Sequence, residues 1–193
     1  MKLTHGLAVR MPAGLDPTEQ MGEVVTFLHL QAPGQYALSF PEYAPKQRGA
    51  PFGMELQVFG EQSVLELLAR ALVERSQGLA QPFKVSALFE VGAPTRWLEV
   101  LPSRPPKSPE KVAARLHAHL ARQGKALDTP IRVIARKPQG HLPYLKLRSM
   151  STGARYAKHV RVLTTLGPGN GRFDVYGFSK GGAVPVFAPV ICN

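Results

Sequence analysis

A chain of 193 residues, 44% of them hydrophobic, is long enough to bury a substantial core, which excludes an intrinsically disordered class. No apolar run approaches the ~20 residues of a membrane helix, and the amino terminus lacks the basic-then-apolar order of a secretory signal; a soluble cytoplasmic protein is expected. The formal net charge of +11 is unevenly placed: residues 1 to 103 carry 8 Lys or Arg against 10 Asp or Glu, a net of −2, whereas residues 104 to 193 carry 16 against 3, a net of +13. Solubility favours mixed signs, so an excess this concentrated points to a polyanionic partner, nucleic acid before others. The single cysteine, Cys192, excludes an internal disulfide framework and a cysteine-rich zinc site.

In chain order, Leu3, Leu7, Val9 and Met11 alternate as in a half-buried strand. A helix is expected from Asp16, with Pro17 in its first position, Glu19 three residues after the cap, and Met21, Val24, Val25 and Leu28 as its apolar stripe. His29 follows at the edge of that stripe. Strands are expected over Tyr36 to Phe40 and Met54 to Phe59, joined by a Pro- and Gly-rich loop. Ser63 and Glu66 have the spacing of a capping box, followed by a helix with Val64, Leu67, Leu68, Ala71 and Leu72 on one face; a strand from Phe83 to Val91 closes the half. The order β-α-β-β-α-β is the ferredoxin-like pattern, shared by RNA-recognition domains and by many folds that touch no RNA.

Five prolines between Gly92 and Pro109 suggest a linker or ordered connection. A helix is expected from Ser108, Pro109 and Glu110 to Gly124, with Lys111, Arg115, His119 and Arg122 in one cationic stripe beside an apolar one of Val112, Leu116 and Leu120. From Tyr144 onward the pattern turns to strand, over Tyr144 to Leu147, Tyr156 to Leu163 and Phe173 to Tyr176. The fold class is therefore α+β: an amino-terminal ferredoxin-like (RRM-like) domain, residues 1–95, then a β-rich domain, residues 96–193, with the basic helix 109–124 and a Gly-rich loop 177–182.

The segments LRSMSTG (147 to 153) and YGFSKGG (176 to 182) resemble the carboxy-terminal signature of the subtype I-F CRISPR RNA-processing endoribonucleases. The resemblance takes in His29 within VVTFLHLQ, the segment GQYALSFPEY and a basic helix opened by KSPEK, anchors stretching from about residue 24 to residue 187. It implies a metal-independent enzyme without cofactor that cleaves the repeat hairpin of precursor CRISPR RNA. The substrate's own 2′-hydroxyl attacks the adjacent phosphate, leaving a 2′,3′-cyclic phosphate and a 5′-hydroxyl, and the enzyme keeps the hairpin product. The implied partners are the repeat stem-loop RNA and the subunits of a Cascade-type effector complex.

By the same resemblance, His29 transfers protons, as base toward the 2′-hydroxyl or acid toward the leaving oxygen, Ser149 holds the 2′-hydroxyl and Tyr176 orients the catalytic groups. Histidine suits the task because its ordinary pKa of ~6.5 lets it give and take a proton near neutrality. Tyr156 matches an aromatic that stacks near the cut, Lys111, Arg115, His119 and Arg122 the basic helix in the groove of the stem, and Arg104 an arginine that reads a guanine edge. Lys107, Ser151 and Lys180 complete the expected RNA contacts. Two departures stand out: Pro105 and Pro106 occupy the place of a glutamine reader, and the helix is less arginine-dense than the family pattern. The chemistry needs no metal site, and His117 and His119, two apart on a helix, diverge. The alternative is a catalytically decayed hairpin-binding subunit of a divergent CRISPR effector or transposon-linked complex. A housekeeping RNA-binding protein would fit the charge and element order, but neither accounts for the paired signature segments.

Overall fold

A computed structural model of the chain describes residues 1–44, 51–94, 96–103, 109–124, 142–149 and 151–187. The class is α+β, with two antiparallel sheets and three helices among the described residues. Its contacts form two compact units, Met1–Ser103 with Pro143–Asn193, and Arg104–Leu142.

The larger unit begins with strand β1 (His5–Arg10), helix α1 (Pro17–Gln31), β2 (Tyr36–Ser39), β3 (Glu55–Gly60) and helix α2 (Gln62–Gln77). Asp16 caps α1 as its position before Pro17 requires, its carboxylate accepting from the Thr18 amide at 2.9 Å. The second cap differs from the expected box. Helix α2 starts at Gln62 behind Glu61, which makes no side-chain cap, and the Glu66 carboxylate is instead taken by the Gln62 amide one turn back, at 2.9 Å. The strand expected over 83–91 is two short ones, β4 (Lys84–Val85) and β5 (Phe89–Glu90), both paired with β1. Between them Ser86 breaks the ladder, its hydroxyl accepting the Ala8 amide at 2.8 Å in place of a backbone carbonyl. The first sheet runs β2-β3-β1-β4, with β5 also on β1.

The second sheet runs β7-β8-β6-β9, from β6 (Arg96–Ser103), β7 (Tyr144–Arg148), β8 (Arg155–Thr165) and β9 (Val184–Val186). Strand β6 lies where the prolines suggested a connection: Leu98 and Val100 are buried, and Pro102 sits at the penultimate position, beyond the buried pair. The strand expected at Phe173 to Tyr176 is a turn, closed by Asp174, with only a single bridge from Phe173 to Ser179. One hydrophobic cluster joins Leu7, Val25, Leu28, Tyr36 and Val58 to Leu145, Val160 and Phe178, so both sheets share a core.

Helix α1 covers the free edge of β7. Gly22 packs directly on the Lys146 carbonyl, and one turn later the Thr26 hydroxyl accepts the Arg148 amide at 3.3 Å. Four helical residues rise ~6 Å and two strand residues ~6.6 Å, so helix and strand stay in step and the end of α1 meets the end of β7. In the smaller unit, helix α3 (Pro109–Arg122) carries Lys111, Arg115, His119 and Arg122 as exposed side chains. No helix among the described residues is long and apolar enough to cross a membrane.

Candidate active site

His29 stands in the last turn of α1, half-buried, with its Nδ1 2.9 Å from the Val175 carbonyl. A carbonyl can only accept, so Nδ1 carries the proton and Nε2 is the nitrogen left to exchange one. The imidazole stacks on Tyr176, ring centroids 4.0 Å apart and planes at 26°. Tyr156, on β8, donates its hydroxyl to that of Tyr176 at 3.2 Å. Burial and this donated bond push the Tyr156 phenol well above its ordinary range, so it remains a donor. Three residues far apart in sequence thus form one cluster. The Lys158 ammonium lies 5.9 Å from the Tyr176 ring centre and 5.7 Å from that of Phe178.

The turn that supplies Tyr176 is built by a residue the sequence reading passed over. Oδ1 of Asp174 accepts from the amides of Tyr176 at 2.9 Å and Phe178 at 3.0 Å, folding the backbone so that Val175 points its carbonyl at α1. The same carbonyl accepts the Gly34 amide at 3.1 Å, and the Gly177 carbonyl accepts the Leu38 amide at 3.0 Å, so the turn also covers the edge of β2. Gly177 has a φ of +78°, and a Cβ there would meet the Tyr36 ring at 2.8 Å; only glycine fits. The Tyr36 hydroxyl is buried without a hydrogen-bond partner among the described residues, and burial first, then the Asp174 charge, holds its phenol protonated far above the ordinary value. The sequence signal for Asp174 was its spacing of two before Tyr176, that of an Asx turn.

The other half of the YGFSKGG segment is an anchor. Ser179 is buried and holds β6 in both directions, its hydroxyl accepting the Val100 amide at 2.9 Å and its amide donating to the Val100 carbonyl at 2.8 Å. Lys180 beside it is exposed.

Ser149 follows β7 and is half-buried. Its carbonyl accepts the Gly153 amide and its amide donates to Ala154, both at 2.8 Å, which fixes the STG turn. Its hydroxyl lies 3.2 Å from that of exposed Ser151. No hydrogen bond among the described residues joins Ser149 to His29 or Tyr176. Ser149 opens instead on a cleft of about 360 Å³, together with Thr26, Leu30 and Arg148, beside the end of α1 that bears His29. Of the expected RNA contacts, Arg104 and Lys107 lie outside the described residues. Among the described residues no group of three or more His, Cys, Asp or Glu is placed to hold a metal ion.

No curated protein matches the chain. The family model described as CRISPR-associated protein (Cas_Csy4) matches residues 11–187. That stretch holds His29, helix α3, LRSMSTG and YGFSKGG, and the chain belongs to this family, the CRISPR-associated repeat-processing endoribonucleases of subtype I-F.

Proposed function

We propose that this protein cleaves the repeat hairpin of precursor CRISPR RNA without a metal and retains the hairpin. The observation that carries the reading is the tie from His29 Nδ1 to the Val175 carbonyl, which reserves Nε2 for proton transfer in both the neutral and the charged ring. The 2′-hydroxyl of the last retained nucleotide gives up its proton and attacks phosphorus. The bond to the 5′-oxygen of the next nucleotide breaks, and that oxygen takes a proton. The retained hairpin ends in a 2′,3′-cyclic phosphate and the released strand begins with a 5′-hydroxyl. Because the nucleophile belongs to the substrate, the protein has only to align it and move protons. Ser149 holds the 2′-hydroxyl, Tyr176 supports the imidazole, and Tyr156 offers a face for the terminal base pair.

Residues 1–95 then form a ferredoxin-like domain that supplies His29, a reading supported by the strand order β4-β1-β3-β2 and the intervening helices. Residues 96–193 hold the RNA: Lys111, Arg115, His119 and Arg122 on the stem phosphates, with Arg104, Lys107, Ser151 and Lys180 as further contacts. The cytoplasm and a Cascade-type complex are the setting. The test is incubation with repeat RNA in excess EDTA. Cleavage leaving a cyclic phosphate, abolished by a 2′-deoxy nucleotide before the cut, is the expected result; strict dependence on magnesium would overturn the mechanism. A catalytically decayed hairpin binder would hold the RNA uncut.

A further inference from the structure

The cleft beside Ser149 has its own chemistry. One wall is the carboxy-terminal half of α1, where Leu30 is 49% exposed and Phe27 is half-buried under the Arg75 guanidinium of α2, 5.0 Å from the ring centre. The turn after β7 also lines the cleft, with Arg148 tied to the Gly153 carbonyl at 3.2 Å. Of its two acidic lining residues, Glu19 is paired with Arg155 at 2.6 Å and Lys146 at 3.3 Å, and Glu23 is exposed. Three arginines, of which Arg155 is paired with Glu19, an aromatic and an exposed aliphatic thus line a hollow of about 360 Å³, the size of a small ligand. Cations combined with flat apolar surface bind single-stranded nucleic acid, the arginines taking phosphate and the apolar surface a base.

We infer that this cleft holds the single-stranded RNA on the 3′ side of the cut. The inference rests on the proposed function, for Ser149, which that reading sets at the 2′-hydroxyl, lines the cleft. With the retained nucleotide at Ser149 and its base pair on Tyr156, the strand beyond the break passes over Ser149 toward Arg148, Leu30 and Arg75. The site is therefore a subsite for the leaving strand.

The test uses the full chain and repeat hairpins made uncleavable by a 2′-deoxy nucleotide before the cut, either ending shortly after it or carrying a four-nucleotide tail on the 3′ or the 5′ side. Fluorescence anisotropy reads the affinity. The expected result is about tenfold tighter binding with the 3′ tail and no gain from the 5′ tail. Arg75→Ala and Leu30→Glu, both at exposed positions, erase the difference between tailed and blunt hairpins, while Arg70→Ala on the same helix keeps it. Equal affinity for blunt and 3′-tailed hairpins, an equal gain from both tails, or a gain that survives both cleft variants overturns the inference and leaves the proposed function standing. Failure to bind the blunt hairpin at all overturns both.

Discussion

The imidazole of His29 and the phenol ring of Tyr176 lie face to face, 4.0 Å between centroids, although 147 positions separate them in the chain. One turn sets both, because Val175 holds His29 by its carbonyl while Tyr176 stacks on the ring. General acid–base catalysis contributes ~10²–10⁴-fold, so His29→Ala is expected to lose most of the cleavage rate and keep hairpin affinity within a few-fold. Ser149→Ala should follow the same pattern. Single-turnover rates, affinity and melting temperature, measured on each variant, separate this outcome from simple loss of packing, which would lower all three.

Asp174 is expected to act through the turn it closes. Hydrogen bonds to a charged acceptor contribute ~1.5–3 kcal/mol each, less where the group is half-exposed as here. Asp174→Ala should release Val175 and Tyr176 together, slowing cleavage at saturating RNA. Asp174→Asn keeps an oxygen at the same place and should recover much of the rate. Equal losses in the two variants would show that the charge, and not the turn, is what matters.

Gly22→Ala should separate α1 from β7. An added Cβ would run into the Lys146 carbonyl, which as backbone of a paired strand has nowhere to go. Overpacking of this kind costs ~1–3 kcal/mol, read by chemical denaturation. Cleavage should fall as well, since α1 carries His29. A fully stable and active Gly22→Ala would mean that the helix lies farther from the strand.

The Lys146 ammonium bonds Asp16 at 2.7 Å and Glu19 at 3.3 Å, tying the start of α1 to β7. Burial opposes ionisation of Asp16, but the bonds from Lys146 and the Thr18 amide outweigh it and hold its carboxyl below the ordinary value. Its bond to Asp16, chiefly, holds Lys146 above its own. A depressed carboxyl stabilises above its unfolded pKa of ~3.9 and loses that contribution as pH falls through the folded value; a raised ammonium stabilises below ~10.4 and loses it as pH rises. The pair's contribution therefore lies between about pH 4 and pH 10. Lys146→Met should flatten the acid limb of a melting-temperature profile. An unchanged limb would make the bridge energetically silent, as many exposed pairs are.

Arg115→Ala with Arg122→Ala should weaken hairpin binding and flatten the slope of log K against log salt, because each phosphate contact releases counterions. Both side chains are exposed on α3. An unaltered slope would reduce the stripe to a solvated helix face.

Local chemistry made part of this protein legible from its sequence alone. The Asp16 cap, the α1 stripe, the α3 charge stripe and the signature segments depend on residues within a few turns of one another, and short-range spacing records them. Spacing could not give β6, where the prolines in and around it hide a strand that exists because Leu98 and Val100 meet β8 and β9. Nor could it give the break at Ser86 or the turn at Asp174, where side chains replace backbone partners supplied by distant strands. The association of His29, Tyr156 and Tyr176, and the opening of Ser149 onto a separate cleft, were decided by tertiary packing. They follow from two close approaches, Gly22 on Lys146 and Gly177 on Tyr36, and a glycine announces only that room is needed, not which distant residue will take it.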